Sequence, residues 1–259
     1  MVYTWMDLKN LIAKFSGRQH RHDKVVEILN SLGKKGALLD AGAREGNISR
    51  KLHESGFDVV AADINMRHGA YREIPWITAN FNHRLPFKNE SFDFVTSSNT
   101  IEYLEDQYRF IRECYRVLRN GGALLIETPN ILNLQARIAT CFTGFHRFSG
   151  MPYDEVRDGV FGERRWNLKS YFQLRAILHR NGFRIVRVAT HEFSNKAMFF
   201  LPIYIHIYAL TSRPFRREKD TLQQERNKEI LKHVMSADLI LGKQLYILAV
   251  KDPSYVKHK

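Results

Sequence analysis

The sequence predicts an α/β protein built on one doubly wound, mostly parallel sheet of seven strands, with helices on both faces and a C-terminal insertion. Three observations predict it. From residue 37 onward, short apolar runs alternate with amphipathic helical patterns. Polar and glycine-bearing loops recur where those runs end. The 259 residues are 44% hydrophobic and show no internal repeat, which suits one sizeable core. Strands alternating with helices imply parallel strands joined by right-handed crossovers, and this puts helices on both faces of the sheet. Ligands then bind outside the carboxyl ends of the strands, at the switch point.

Taken in order, Trp5–Phe15 and Asp23–Leu32 read as helices, the second ending before Gly33. Ala37–Asp40 is a short strand that ends in a glycine-bearing loop, and Asn47–Glu54 is a helix stopped by Gly56. Asp58–Ala62, Trp76–Ala79 and Phe92–Thr96 are the next three strands. Asp106–Arg119 is an amphipathic helix with Phe110, Ile111, Cys114, Val117 and Leu118 on one side, and Gly121 and Gly122 end it. Ala123–Glu127 is a fifth strand. Leu134–Phe145 and Leu168–His179 read as helices, with a Gly- and charge-rich loop or lid, 148–165, between them. Arg184–Val188 and Leu245–Val250 are the last strands, with the apolar run Ala197–Leu210 and a charged helix, Thr221–Lys232, between them. The organisation is therefore N-terminal helices over residues 1–35 that cap the ligand site, a core over 36–130, and substrate-side insertions with the final strands over 131–259.

Lys and Arg number 40 against 27 Asp and Glu, a formal charge of +13, which favours anionic partners: nucleic acid, an acidic membrane face or a phosphorylated substrate. The two cysteines, Cys114 and Cys141, have no metal-type spacing and fall in apolar helical patterns, so both are expected to be buried, reduced thiols. The first residues lack a signal-peptide pattern, and no apolar run reaches transmembrane length. The expected location is cytoplasmic, peripheral to a membrane if the apolar run touches one.

The most informative segment is Leu38-Leu39-Asp40-Ala41-Gly42-Ala43-Arg44-Glu45-Gly46. A strand enters a turn with two glycines and then a helix, whose free N–H groups suit a carboxylate or phosphate. The dinucleotide pattern G-x-G-x-x-G fails, because Arg44 and Asn47 stand at its second and third glycine positions. Asp40, Gly42 and Gly46 instead match D-x-G-x-G-x-G, with Arg44 at the central glycine. Asp63 closes the second strand about 20 residues past the loop, where a carboxylate bonds ribose hydroxyls. Asn80 and Phe81 end the third strand, and an amide beside an aromatic suits the edge and face of a base.

Together with Leu85-Pro86-Phe87, Phe92-Asp93-Phe94-Val95, Glu102-Tyr103-Leu104, Leu118-Arg119-Asn120-Gly121-Gly122 and Thr128-Pro129-Asn130, these motifs fall in one order. That order resembles the class I S-adenosylmethionine-dependent methyltransferases, with their Rossmann-like fold, in the type 11 group. The resemblance covers roughly residues 36–130. It implies that Asp40, Gly42 and Gly46 line the methionine end of S-adenosyl-L-methionine, with Arg44 facing the methionine carboxylate. It further implies that Asp63 binds the ribose, Ile64 packs on the adenine, Asn80 and Phe81 meet its edge, and Ser97 offers its backbone to the methionine part. Asn80 stands where many relatives carry Asp.

In-line methyl transfer needs positioning and exclusion of water more than a catalytic triad. Asn99, Glu102 and Tyr103 are the candidates for work on the substrate, with Asn130 and Trp166 as further contacts. Ubiquinone-type relatives place E-x-x-E-H here to hold a divalent ion. Asn99 and Tyr103 replace two of those ligand types, so no metal is expected. The implied acceptor is an O or N nucleophile on a small molecule or a lipid- or saccharide-linked precursor. The alternatives are a nucleic-acid methyltransferase, favoured by the charge, and a non-catalytic cofactor-binding module, favoured by Arg44. The run Ala197–Leu210 lacks one clean amphipathic face, which favours burial over the sheet or at a homodimer contact. The following Arg213, Arg216 and Arg217 leave an anionic membrane contact as its rival.

Overall fold

The computed structural model describes residues 20–65, 71–144 and 167–256. The predicted helix Trp5–Phe15, the loop 148–165 and Trp166 lie outside the described residues.

Seven strands form one sheet in the order β3-β2-β1-β4-β5-β7-β6. They are β1 (Ala37–Ala41), β2 (Asp58–Asp63), β3 (Trp76–Thr78), β4 (Phe92–Ser98), β5 (Leu118–Pro129), β6 (Phe183–Ala189) and β7 (Gln244–Lys251). The first five pair in parallel, while β7 runs antiparallel to β5 and β6 on either side. The chain steps outward from β1 to β3 on one side and from β4 on the other, so the switch point lies between β1 and β4.

Consecutive strand residues face opposite sides of the sheet, and the two core halves follow from that alternation. Leu39, Val95, Leu124 and Ile247 face α3 (Gln107–Val117) and α5 (Tyr171–Arg180), whose Phe110, Ile111, Cys114, Leu174 and Leu178 are buried. Leu38, Phe94, Leu125 and Leu248 face α1 (Arg21–Asn30) and α2 (Asn47–Glu54), through Val25, Ile28, Leu29 and Leu52. Near-continuous apolar strands are what two covered faces require. Helix α3 starts where the Asp106 carboxylate accepts the Arg109 N–H at 2.8 Å. Ser170 and Gln173 form a reciprocal capping box that starts α5 three residues later than its apolar pattern begins.

The remaining helices are α4 (Leu134–Thr143), α6 (Asn195–Phe199), α7 (Tyr204–Arg216), α8 (Thr221–Val234) and α9 (Ala237–Leu241). Two expectations are corrected here. Cys114 is buried, but Cys141 on α4 is exposed. The run 197–210 does not pack over the sheet. Ala197 is buried, but Phe199, Ile205 and Leu210 are 81%, 72% and 65% exposed. The run splits into α6, a 3-10 turn (Leu201–Ile203) and α7 at Pro202, and only some of its residues pack onto α4 and α9. Among the described residues no helix is long and apolar enough to cross a membrane.

Candidate active site

The loop after β1 sits at the switch point. Gly42 has φ 94°, and a Cβ there would lie 1.8 Å from the Thr100 hydroxyl, so a side chain is excluded by backbone and by space. Gly46, at φ 79°, is the residue that opens α2, and a Cβ on it would strike the Trp76 ring at 2.6 Å. Arg44 also lies in the left-handed region, at φ 51°. Its N–H donates to Asp63 Oδ2 at 2.8 Å, which offsets a conformation that glycine would adopt without strain. Its side chain is 76% exposed and reaches Glu45 at 3.9 Å, so the backbone alone fills the glycine's place in the turn.

Asp40 is buried on β1. Its Oδ2 accepts from Ser49 Oγ at 2.6 Å, while its Oδ1 has no hydrogen-bond partner. Burial holds the Asp40 carboxyl up at about 6, with the Asp63 charge adding to the effect and the Ser49 hydrogen bond opposing it. Thr96 lies opposite Asp40 in register, and its hydroxyl is likewise buried without a partner. Ser97 is fully buried, with a partnerless hydroxyl, and sits inside β4 rather than at its end, because pairing with β5 runs on to Ser98. A buried carboxylate oxygen with nothing to accept from is costly, and an ammonium group supplies what it lacks. These residues therefore fit the amino-acid end of S-adenosylmethionine.

Asp63 closes β2, and its Oδ1 accepts the Asn65 N–H at 3.0 Å. Ile64 beside it is 53% exposed, an apolar side chain open to a flat ligand. The Asn80 amide oxygen is engaged by the Asn82 N–H at 3.0 Å, which forms the turn after β3. Phe81 corrects the sequence reading. Its ring is buried in the core against Phe110, at 5.6 Å between centroids, so it is not a face for the base. The paired Phe81 and Phe110 rings bury more apolar area than an exposed adenine platform would.

The substrate-side candidates gather at the carboxyl ends of β4 and β5. Asn99 has φ 47° and donates its N–H to the Glu127 carbonyl at 2.9 Å. Glu102 lies fully buried in the 3-10 turn Ile101–Tyr103, where it accepts from Thr128 Oγ1 at 3.2 Å. Tyr103, half-buried, ends the same turn. Asn130 is corrected to a structural role. Its Nδ2 donates to the carbonyls of Leu239 and Gly242, at 2.7 and 2.9 Å, and fixes the loop before β7.

One cluster escaped the sequence reading. Glu127, buried on β5, accepts from Ser98 Oγ and from Tyr246 Oη, the latter at 3.1 Å. Tyr246 Oη also lies 3.2 Å from His191 Nδ1. Arg21, at the start of α1, brings Nε to 3.5 Å from Glu127. Burial raises the Glu127 carboxyl and Arg21 opposes it, while burial holds the His191 imidazole down at about 4. An acid directly after the apolar run 123–126, within β5, was the one available signal. His191 and Arg21 reach it only through the packing of β6 and α1.

A parallel sheet that reverses at β1 and β4, an acid–glycine loop at that switch point and a second acid closing β2 give the chain the fold of class I S-adenosylmethionine-dependent methyltransferases. Residues 39–126 match the family model described as a methyltransferase domain. A probable S-adenosylmethionine-dependent methyltransferase of Mycobacterium tuberculosis is 33% identical over 134 residues, 49% of this chain and 47% of that protein. A demethylmenaquinone methyltransferase of Corynebacterium urealyticum is 39% identical over 100 residues, 36% of this chain and 43% of that protein. The chain thus spans about half the length of the curated relatives it matches. The crystal structure of a methyltransferase from Archaeoglobus fulgidus superimposes with a TM-score of 0.57 at 17% identity, covering 96% of this chain and all of the other, which shows the shared fold.

Proposed function

We propose that this chain transfers a methyl group from S-adenosylmethionine to an O or N nucleophile on a small molecule or a lipid- or saccharide-linked precursor. The observation that carries the reading is the unpartnered, buried Asp40 oxygen beside the Gly42–Gly46 turn. When bound, the cofactor supplies an electrophilic methyl group on a sulfonium, and the remaining work is positioning. Asp40 takes the ammonium group, Asp63 the ribose hydroxyls, and Ile64 packs on the adenine with Asn80 near its edge. Gly42 and Gly46 hold the turn open, and Ser97 lends its backbone. Asn99, Glu102 and Tyr103 border the acceptor on the same edge of the sheet, and the Glu127 carbonyl fixes where Asn99 stands.

A lipid-like acceptor is supported by the relative named for demethylmenaquinone and by the exposed apolar surface beyond β5 and β6. Calorimetry with S-adenosylmethionine, S-adenosylhomocysteine and NADH tests the cofactor. The expected result is binding of the first two; binding of NADH alone would overturn the assignment. Tritiated methyl transfer into a lysate, fractionated into lipid, polysaccharide, RNA and protein, tests the acceptor. Label in the RNA fraction would move a nucleic-acid substrate to the front.

A further inference from the structure

The helices that follow β5 and β6 leave an apolar surface on the carboxyl edge of the sheet, the edge where the acid–glycine loop opens. Phe142 of α4 is 84% exposed, Phe199 of α6 81%, and Ile205 and Leu210 of α7 72% and 65%. Leu201 and Ile203 between them are exposed as well. Beside Phe199 runs a groove of about 600 Å³, lined by Ile138, Ala139, Phe199 and Phe200 and bordered by Lys196. Large apolar side chains grouped in this way mark a surface that meets something other than water.

Charge selects the partner. The chain holds 27 acidic residues, yet none falls in 128–144 or in 193–217, the two segments that supply this surface. Exposed Lys196 stands at the start of the apolar run, and exposed Arg213 and Arg217 stand at its end. An apolar stretch with cations at both ends and no anion within it is complementary to a layer with an apolar interior and a phosphate surface. A soluble protein partner would not require so long an exclusion of acids.

We infer that the face formed by α4, α6 and α7 docks on an anionic lipid bilayer. Phe142, Phe199 and Ile205 enter the boundary between headgroups and acyl chains, while Lys196, Arg213 and Arg217 meet phosphates. The docking does not depend on the methyl-transfer reading. If that reading also holds, the groove receives the chain of a lipid-linked acceptor at the edge where the cofactor loop lies.

The test is flotation of the whole chain, without cofactor or acceptor, on vesicles of phosphatidylcholine alone or mixed with phosphatidylglycerol. The protein is expected to float with the mixed vesicles at low salt, to be released by high salt, and to stay behind with phosphatidylcholine alone. Phe199→Ser with Ile205→Ser, and separately Arg213→Glu with Arg217→Glu, should each lower the partition coefficient by about tenfold or more. All four positions are exposed, so thermal melting should match the wild type and separate lost docking from lost folding. A wild type that floats with neither vesicle, or charge-reversed protein that floats as well as wild type, overturns the inference. So does a wild type that does not float but sediments as a dimer that Phe199→Ser with Ile205→Ser dissociates. The face would then be a contact between copies.

Discussion

The Arg44 backbone N–H donates to Asp63 Oδ2 at 2.8 Å, so the acid that closes β2 also ties down the turn after β1. A residue in the left-handed region at φ 51° is thereby held in a shape that glycine would adopt freely. Asp63→Ala removes both the tether and the proposed ribose acceptor. Its affinity for S-adenosylhomocysteine should fall by about 1–3 kcal/mol, measured by calorimetry. Unchanged affinity would remove Asp63 from the cofactor site.

Asp40 sets stability against function. Its folded carboxyl titrates near 6, above the ordinary value of 3.8, chiefly because it is buried. Between those two values the unfolded chain binds fewer protons than the native one, so stability falls as pH rises and the penalty is complete above about 6. Asp40→Asn removes that penalty. The ligand-free variant should be more stable than wild type near pH 8, by up to about 3 kcal/mol, and the gain should shrink below about pH 4. The same change should weaken cofactor binding, because an amide carries no charge for an ammonium. Calorimetric unfolding at the two pH values checks the first part. A variant no more stable than wild type near pH 8 would refute it.

Metal dependence follows from side-chain chemistry. An amide at Asn99 and a phenol at Tyr103 are poor ligands for a hard divalent cation compared with carboxylate and imidazole. Methyl transfer should survive treatment with a chelator. Loss of turnover that magnesium or zinc restores would show that other residues supply the ligands.

The Tyr246 hydroxyl joins Glu127 and His191 in a buried network. Tyr246→Phe leaves both groups a partner short and should cost about 1–3 kcal/mol in denaturant unfolding. Adding Glu127→Gln should cost less than the sum of the two single changes, since the buried charge that needed the hydroxyl is gone. Strict additivity would mean that the two side chains act independently.

Much of the architecture was legible from periodicity alone. Alternating apolar strands and amphipathic helices, with an acid–glycine turn at the first strand's end, determined a doubly wound sheet with its ligand site at the carboxyl ends of the strands. That succeeds because strand burial and glycine φ are local demands that the chain meets with local residue types. Asp40, Gly42, Gly46 and Asp63 all lie where those demands put them, at the carboxyl ends of β1 and β2. Tertiary structure alone decided the rest. Phe81 goes to the core because Phe110 comes to meet it from α3, a pairing 29 residues apart in sequence. Asn130 is consumed by carbonyls at Leu239 and Gly242, more than 100 residues away. His191 and Arg21 join Glu127 only when β6, β7 and α1 converge on one edge. Much of the apolar run 197–210 is exposed although its composition favours burial, because only Ala197 and a few partly buried neighbours find a place against α4 and α9. Composition states how much a segment would gain by leaving water; only packing decides whether any interior is left to receive it.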